Sequence, residues 1–199
     1  MSTLRQRQAQ ATASMIVTAA KALFLEQGYS GTTIEAIAGR AEVAVSTVYA
    51  VFGSKRGILR AIRSPWHERS RIREVTYGDP GGATPKQRLE QLAQATRQQW
   101  ESGVEVITIY NSAAASDPAA AAELNEALKG RRKGMETFAL SLVPGLRQGM
   151  EPARASAILQ ALCLPEVYNE LVRQSGWTAE AYQDWLLQAL KRELLDEVE

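Results

Sequence analysis

The stretch TTIEAIAGRAEVAVSTVYAVFGSKRGIL, residues 32–59, contains two short helical patterns separated by a break at Glu42-Val43-Ala44. Thr32 and Glu35 have the spacing of a capping box, which predicts the start of the first short helix. The second short helix is predicted over residues 45–51. Two short helices joined by a turn of three or four residues are typical of a helix-turn-helix, whose second helix fits a DNA major groove.

Two further helices are predicted around this stretch. Apolar residues recur with helical spacing over 13–27, where Thr12 or Ser14 is the expected N-cap and Gly28 is expected to take left-handed torsion angles at the end. Ser54 is the expected N-cap of a fourth helix. The core expected from these patterns consists of Ile16, Ala19, Ala20, Leu23, Phe24, Tyr29, Ile34, Ile37, Ala38, Ala41, Val48, Phe52, Ile58, Leu59, Ile62 and Trp66.

The remainder of the chain also has helical periodicity. Asp117 and Pro118 resemble an N-cap followed by proline at the first helical position, and Gly130 or Gly134 is a candidate break in the helix that follows. No alternating strand pattern of useful length and no internal repeat is found. These patterns predict an all-α fold of about nine helices. The later helices are expected over 86–111, 118–142, 153–174 and 179–197.

Composition limits the class of protein. The chain has 199 residues, of which 45% are hydrophobic and 23% charged, so it is not wholly disordered, and one cysteine excludes an intramolecular disulfide framework. Residues 1–75 contain 11 Lys and Arg against 5 Asp and Glu, whereas 76–199 contain 12 against 17. A basic first third is compatible with nucleic-acid binding and with an ordinary solvated surface. Because no long apolar run or signal peptide is present, we expect a cytoplasmic protein with no membrane partner.

The run IVTAAKALFLEQGYSGTTIEAIAGRAEVAVSTVYAVFGSKRGIL, residues 16–59, resembles the DNA-binding domain of TetR-family transcriptional regulators. Residues 164–190 resemble, more loosely, the C-terminal helices that usually form the dimer in that family. The resemblance implies a helix-turn-helix DNA-binding domain at 1–62 and a helical effector-binding and dimerisation domain at 63–199.

Eight residues are expected to contact DNA. Hydroxyls of the third helix can reach phosphates or base edges, and its apolar residues can contact thymine methyl groups, although solvent-facing polarity and a partly buried turn are the alternatives. The first turns of the second and fourth helices favour an anion, and the resemblance implies that Tyr49 donates to a phosphate. The expected contacts are Thr32, Thr33, Ala44, Val45, Ser46, Thr47, Tyr49 and Lys55.

The chain departs from the family pattern on the expected reading surface. Glu42 stands where glycine is common in the turn, and Ala44 stands where a small hydroxyl commonly caps the third helix. Val45 replaces a common polar residue, and Ala50-Val51 replaces a frequent His-Tyr pair. These departures remove polar side chains from the surface that is expected to meet DNA, so they affect which bases the third helix can recognise.

The second domain supplies apolar material for an effector pocket, and for any single residue an ordinary core position is the alternative. A hydrophobic or aromatic small molecule is the expected effector. The candidate lining residues are Trp66, Trp100, Tyr110, Met135, Phe138 and Tyr168.

Catalytic, metal and cofactor sites are not expected. His67 is the only histidine and Cys163 the only cysteine, which is too few for a multi-histidine metal site or a nucleophile–base set, and no glycine-rich phosphate loop follows a strand. Arg131-Arg132-Lys133 is interpreted as a solvated basic face, with contact to an acidic ligand or partner as the alternative.

These observations favour a homodimeric, ligand-responsive repressor of transcription. The two third helices would enter successive major grooves of a near-palindromic operator, about 34 to 36 Å apart. Helices near 153–174 and 179–197 would form the dimer, because the apolar positions Ile158, Leu162, Trp185, Leu186 and Leu190 exceed what one helix pair can bury. The alternatives are an all-α enzyme acting on a small apolar molecule and an architectural DNA-binding protein without an effector.

Overall fold

The computed structural model describes residues 4–69 and 71–196, and the side chains of all of these except positions 64–69. The described part contains ten α-helices and no strand, which confirms the predicted all-α fold; a single antiparallel bridge joins Leu146 and Leu195. The helices are α1 Leu4–Gly31, α2 Ile34–Arg40, α3 Val45–Phe52, α4 Lys55–Arg69, α5 Ile72–Tyr77, α6 Pro85–Ala114, α7 Pro118–Ser141, α8 Pro152–Leu162, α9 Pro165–Tyr168 and α10 Ala179–Leu194.

The chain folds into two compact units. The first takes in the chain up to residue 67 together with 105–125, and the second takes in 68–104 together with 126 onward. Helices α4, α6 and α7 therefore contribute residues to both units. The functional division predicted at residue 62 stays a prediction.

The core of the first unit collects the apolar faces of α1 to α4, as the periodicity predicted, together with apolar residues of α6 and α7. Short helices such as α2 and α3 gain most of their stability from this packing, because a helix of seven or eight residues is marginal alone. Phe52 is only half-buried at its edge. The buried residues of this core include Ile16, Ala20, Leu23, Phe24, Tyr29, Ile37, Ala38, Val48, Ile58, Leu59, Ile109 and Tyr110.

Helix α1 begins nine residues earlier than predicted. It starts at Leu4, and Thr12 lies inside it with its hydroxyl donating to the Gln8 carbonyl at 3.1 Å. The prediction of an N-cap at Thr12 or Ser14 was therefore wrong; the preceding Arg, Gln and Ala residues are good helix formers. Gly28 has φ 75° and ψ 165°, so it has the positive φ expected at the end of the helix, with ψ extended rather than left-handed helical.

The start of α2 lies one residue later than the predicted capping box. Thr33, not Thr32, is the N-cap, and its Oγ1 accepts a hydrogen bond from the Ala36 N–H at 3.1 Å. The hydroxyl of Thr32 is engaged elsewhere, in the interior.

The predicted caps Ser54 and Asp117 are confirmed, and Thr178 caps α10 in the same way. The Gly57 N–H donates to Ser54 Oγ at 3.1 Å, and the Ala181 N–H donates to Thr178 Oγ1 at 3.1 Å. Asp117 Oδ1 accepts from Ala119 N–H at 2.9 Å at the start of α7. Each side chain satisfies a backbone donor that the first helical turn leaves free.

Helix α7 runs unbroken through Gly130 and Gly134, so the predicted break was wrong. A Cβ on Gly134 would lie 3.0 Å from the Tyr77 ring and 3.1 Å from the Thr76 hydroxyl. The Tyr77 hydroxyl donates to the Gly130 carbonyl at 2.6 Å. The absence of a side chain at Gly134 thus allows α5 to approach α7 closely.

The single helix predicted over 153–174 is divided. Helix α8 ends at Leu162, α9 begins at Pro165, and a π-helix over Asn169–Gln174 continues it. Proline cannot donate the next helical hydrogen bond, and Leu164 before it is extended (φ −67°, ψ 145°). Among the described helices, none is long and apolar enough to span a membrane.

Candidate nucleic-acid interface

Helices α2 and α3 form a helix-turn-helix around a four-residue turn, Ala41 to Ala44. The Val43 N–H donates to the Ala38 carbonyl at 3.0 Å, and the Glu42 N–H donates to the Gly39 carbonyl at 3.2 Å. Glu42 has φ 54°, a left-handed conformation that glycine adopts more readily than glutamate. The backbone therefore makes the turn in spite of the missing glycine.

One side of helix α3 is buried against the core, and the other side is exposed to solvent. Val48 is 1% exposed and packs on the core, whereas Tyr49 is 49% exposed and Val51 43% exposed. The other residues of this segment, which include four more of the predicted contacts, divide in the same way. Ala44, Ser46 and Ala50 are exposed, and Val45 and Thr47 are half-buried.

Thr33 and Thr32 have different environments. Thr33 is an exposed N-cap, and its hydroxyl accepts from the α2 backbone. Thr32 is 1% exposed, and its hydroxyl donates to the carbonyls of Gly28 at 2.9 Å and Leu23 at 3.2 Å. The structure thus does not place the Thr32 side chain with the exposed candidates; it joins the start of α2 to the end of α1.

Lys55 is also bound within the unit. Its Nζ donates to the carbonyl oxygens of Tyr29 at 2.7 Å and Thr32 at 2.9 Å. Burial lowers the pKa of Lys55, and the charge of Asp117 opposes that shift. The ammonium is therefore largely occupied by backbone oxygens.

Tyr29, assigned to the core from the sequence, is 4% exposed. Its N–H donates to Ser112 Oγ at 3.0 Å and its hydroxyl donates to Asp117 Oδ2 at 3.4 Å. Burial, together with the Asp117 carboxylate, raises the pKa of Tyr29 to about 12. Tyr29 thus links α1 to the parts of α6 and α7 that belong to this unit.

A polar and aromatic cluster lies inside the second unit. The carbonyl of Cys163 accepts from Trp100 Nε1 at 3.1 Å and from Arg131 Nη2 at 2.7 Å. The rings of Tyr168 and Tyr182 meet edge to face, with centroids 4.9 Å apart. We call Trp100, Arg131, Cys163, Tyr168 and Tyr182 the interior cluster.

The interior cluster contains polar groups away from water. Tyr182 is fully buried, and its hydroxyl has no hydrogen-bond partner; burial raises its pKa, and the neighbouring Cys163 and Tyr168 raise it further. Burial raises the pKa of the Cys163 thiol to about 11, although Thr96 and Arg131 act in the opposite direction. Burial also lowers the pKa of Arg131.

The predicted effector residues are distributed unevenly. Trp100, Met135, Phe138 and Tyr168 are all buried in the second unit. Tyr110 lies in the first unit, where its hydroxyl donates to the Leu59 carbonyl at 3.4 Å. The side chains of Trp66 and His67 lie outside the described residues.

Sequence reasoning missed Arg131 and Tyr182. Arg131 was grouped with Arg132 and Lys133 as solvated, but only the last two are exposed. The sequence does indicate this difference. Arg131, Met135 and Phe138 recur with helical spacing on α7, so Arg131 lies on the same side of the helix as the apolar residues. Tyr182, Leu186 and Leu190 are likewise spaced to lie on one side of α10, which indicates that Tyr182 is buried with the two leucines.

Both the sequence and the fold are similar to those of known proteins. The family model of the bacterial regulatory proteins, tetR family, matches residues 16–62. None of the curated proteins matches the sequence significantly.

Solved structures match the chain over almost its whole length. One is NalD of Pseudomonas aeruginosa, described as the secondary repressor of the MexAB-OprM multidrug efflux pump; it is 23% identical, has a TM-score of 0.71, and the match covers 96% of this chain and 100% of that chain. The SmeT–triclosan complex is 23% identical at a TM-score of 0.71, covering 94% and 93%. The ketosteroid regulator KstR2 of Mycobacterium tuberculosis is 19% identical at 0.70, covering 93% and 95%.

The model match and the helix-turn-helix fall on the same residues, and the described helices outside that match follow the same fold as these regulators. Residues 16–62 therefore contain a helix-turn-helix that matches the tetR family of bacterial regulatory proteins, and the chain has the TetR fold, with an N-terminal helix-turn-helix domain and a C-terminal helical domain.

Proposed function

We propose that this chain is the protomer of a homodimeric transcriptional repressor that binds a near-palindromic operator in the cytoplasm and is released by a small hydrophobic effector. The observation that carries the proposal is the exposed outer side of α3, held on the core by the buried Val48 within the matched residues.

The DNA-contact surface that we propose is smaller than the set expected from the sequence. It comprises the exposed or half-exposed side chains of α3 and the cap of α2. Thr32 and Lys55 are left out of it. Their side chains donate hydrogen bonds to carbonyls near the end of α1 and so stabilise the position of the contact surface. The proposed contacts are Thr33, Ala44, Val45, Ser46, Thr47 and Tyr49.

The dimer surface that we propose uses part of the apolar set in α8 and α10. Leu186 and Leu190 are fully buried within the chain itself, so they are not available to a partner. Ile158, Leu162 and Trp185 keep exposed area. Joining two copies through these residues would hold two α3 helices at a fixed separation, as a two-fold operator requires.

The effector site that we propose is the interior cluster with Met135 and Phe138 on the adjoining face of α7. Aromatic side chains suit contact with an apolar ligand, and the unpartnered hydroxyl of Tyr182 can supply one orienting hydrogen bond. The triclosan complex of the structurally similar SmeT makes an aromatic phenol a reasonable first probe. Because α4, α6 and α7 run from one unit into the other, they are the elements through which we expect ligand binding to affect DNA affinity.

The test of DNA binding is selection of a binding site from a random duplex library, followed by gel shift against the selected and scrambled duplexes at several salt concentrations. We expect a palindromic consensus and preferential binding. Indifference to sequence would support the architectural alternative, and turnover of a small apolar molecule without DNA binding would support the enzyme alternative.

The dimer is tested by light scattering on Ile158→Glu, with Leu128→Glu as the matched control, since Leu128 is 49% exposed on α7, outside the proposed interface. We expect only the first variant to become monomeric and to lose operator affinity.

The effector site is tested by adding triclosan to the operator complex of the wild type and of Tyr182→Phe. We expect triclosan to release the wild-type protein and to act more weakly on the variant. Tyr110→Phe, altered in the first unit, is the control. Release of both proteins at the same triclosan concentration would remove Tyr182 from the site.

A further inference from the structure

The polar chemistry of the proposed reading helix is unusually limited. Between Ala44 and Gly53, the polar side-chain groups are the hydroxyls of Ser46, Thr47 and Tyr49. The segment has no amide, imidazole, carboxylate, guanidinium or ammonium group. Its capacity for hydrogen-bonded base recognition therefore rests on three hydroxyls.

Hydroxyls discriminate poorly among bases. Strong readout uses two atoms at once, with Arg or Lys on guanine, Asn or Gln on adenine, and Asp or Glu on cytosine. A serine or threonine hydroxyl donates one hydrogen bond and accepts others, so it can adapt to several base edges. Helix α3 is thus unable to select guanine, adenine or cytosine by a two-atom contact.

The exposed side of α3 instead presents methyl groups. Ala44 and Ala50 are exposed, and Thr47 lies between them along the helix with part of its side chain accessible. Ala44 is the N-cap of α3, and positions 47 and 50, three residues apart, lie about 60° apart around the helix. We call these three residues the methyl patch.

A methyl patch favours one base. The 5-methyl group of thymine is the apolar feature of the major groove, and alanine and the threonine methyl group are suited to contact it. The amino and keto groups of a G·C pair beneath the same patch would lose water without gaining a partner, which is unfavourable.

We infer that α3 reads its half-site mainly through the 5-methyl groups of thymine, which contact the methyl patch of Ala44, Thr47 and Ala50. This inference rests on the proposed function and adds the chemistry of the bases that the regulator recognises.

The first experiment compares two selections with the full-length protein at one salt concentration. One random duplex library is amplified with thymidine triphosphate and the other with deoxyuridine triphosphate, which lacks only the methyl group. We expect a thymine-containing consensus from the first library and a much weaker one from the second. In the selected site, replacing each contacted thymine by deoxyuridine should weaken binding about fourfold.

The second experiment assigns the contact to Thr47. Thr47→Ser removes one methyl group and keeps the hydroxyl, so it should reduce affinity about fourfold on the thymine site. On the site with deoxyuridine at the matching position, the same substitution should have little further effect. Thr178→Ser, which makes the same chemical change at the exposed α10 cap, outside the proposed DNA-contact surface, should change affinity for neither site.

The outcomes separate the inference from the proposed function. Sequence-specific binding that is unchanged by deoxyuridine, or a consensus determined by G·C pairs, would overturn the inference and leave a specific DNA-binding protein. Absence of binding to every duplex at low salt would overturn the proposed function itself.

Discussion

The Nζ atom of Lys55 lies 2.7 Å from the carbonyl oxygen of Tyr29 and 4.4 Å from the centroid of the same residue's ring. Its second hydrogen bond reaches the carbonyl of Thr32. These carbonyls follow Gly28, where the backbone of α1 departs from helical torsion angles. A lysine at such a position satisfies oxygens that the end of a helix leaves free. The first turn of α4 is thereby attached to the end of α1.

Replacing Lys55 by Met, which keeps most of the apolar stem, should lower the free energy of unfolding by about 2 kcal/mol, because two hydrogen bonds from a charged donor are lost. Urea unfolding measures this loss, and Arg7→Met, at an exposed position of α1, is the control. We expect the salt dependence of DNA binding to be unchanged. A decrease of about one unit in the salt slope would place Lys55 on a phosphate instead.

Replacing Glu42 by Gly should stabilise the protein by roughly 0.5 to 1 kcal/mol. The left-handed conformation costs an L-residue about 1 to 2 kcal/mol, and the greater freedom of glycine in the unfolded chain offsets part of the gain. Glu42→Ala removes the same charge but keeps Cβ, so it should bring no comparable increase. Equal melting temperatures for the two variants would mean that charge, not backbone strain, determines the effect.

The free energy of unfolding should fall between pH 9 and pH 11, and ionisation of the Cys163 thiol should cause part of that fall. Burial raises the pKa of its thiol to about 11, whereas the unfolded thiol has the ordinary value of 9.0. The neutral thiol therefore favours folding below pH 9, and this contribution, about 3 kcal/mol, is lost as pH rises through 11. The difference in unfolding free energy between wild type and Cys163→Ala should shrink by that amount over this pH range. A constant difference would contradict the prediction.

Replacing Arg131 by Met should destabilise the protein by about 2 to 3 kcal/mol. Its guanidinium donates to the Cys163 carbonyl at 2.7 Å, where Pro165 has interrupted the helical hydrogen bonds, and lies 5.7 Å from the Trp100 ring centroid. Arg132→Met removes the same charge from an exposed neighbour and should change stability little. Similar losses in the two variants would show that net charge on α7 is responsible.

Replacing Tyr49 by Phe should weaken binding to selected and scrambled duplexes by a similar factor. The resemblance to TetR-family regulators implies that its hydroxyl donates to a phosphate, which carries no base information. Because Tyr49 is 49% exposed, the melting temperature should not change. Weakening confined to the selected duplex would indicate a base contact.

Much of the first unit could be predicted from local sequence. The spacing of Ile16, Leu23 and Ile37 identified the buried faces, and Ser54 and Asp117 identified helix starts, because periodicity and capping depend on residues within four positions of each other. The boundaries of α1 and α2 were less accurate. Thr32 and Thr33 are equally good caps locally, and contacts with α1 decided between them.

The candidate sites required the fold. Exposure of Leu186 and Leu190 to a partner could not be judged from α10 alone, since any amphipathic helix has such residues. The contact of Arg131 with Cys163, 32 positions away in sequence, has no local signature.

By itself the sequence determined the helical class, the helix-turn-helix and the methyl-rich character of α3, since these follow from the order of neighbouring residues. Only the tertiary structure decided that Thr32 and Lys55 support the reading surface and that Arg131 and Tyr182 lie inside the second unit. The physical reason is that a polar side chain takes the partner that folding brings within hydrogen-bond distance, and such partners are usually remote in the chain.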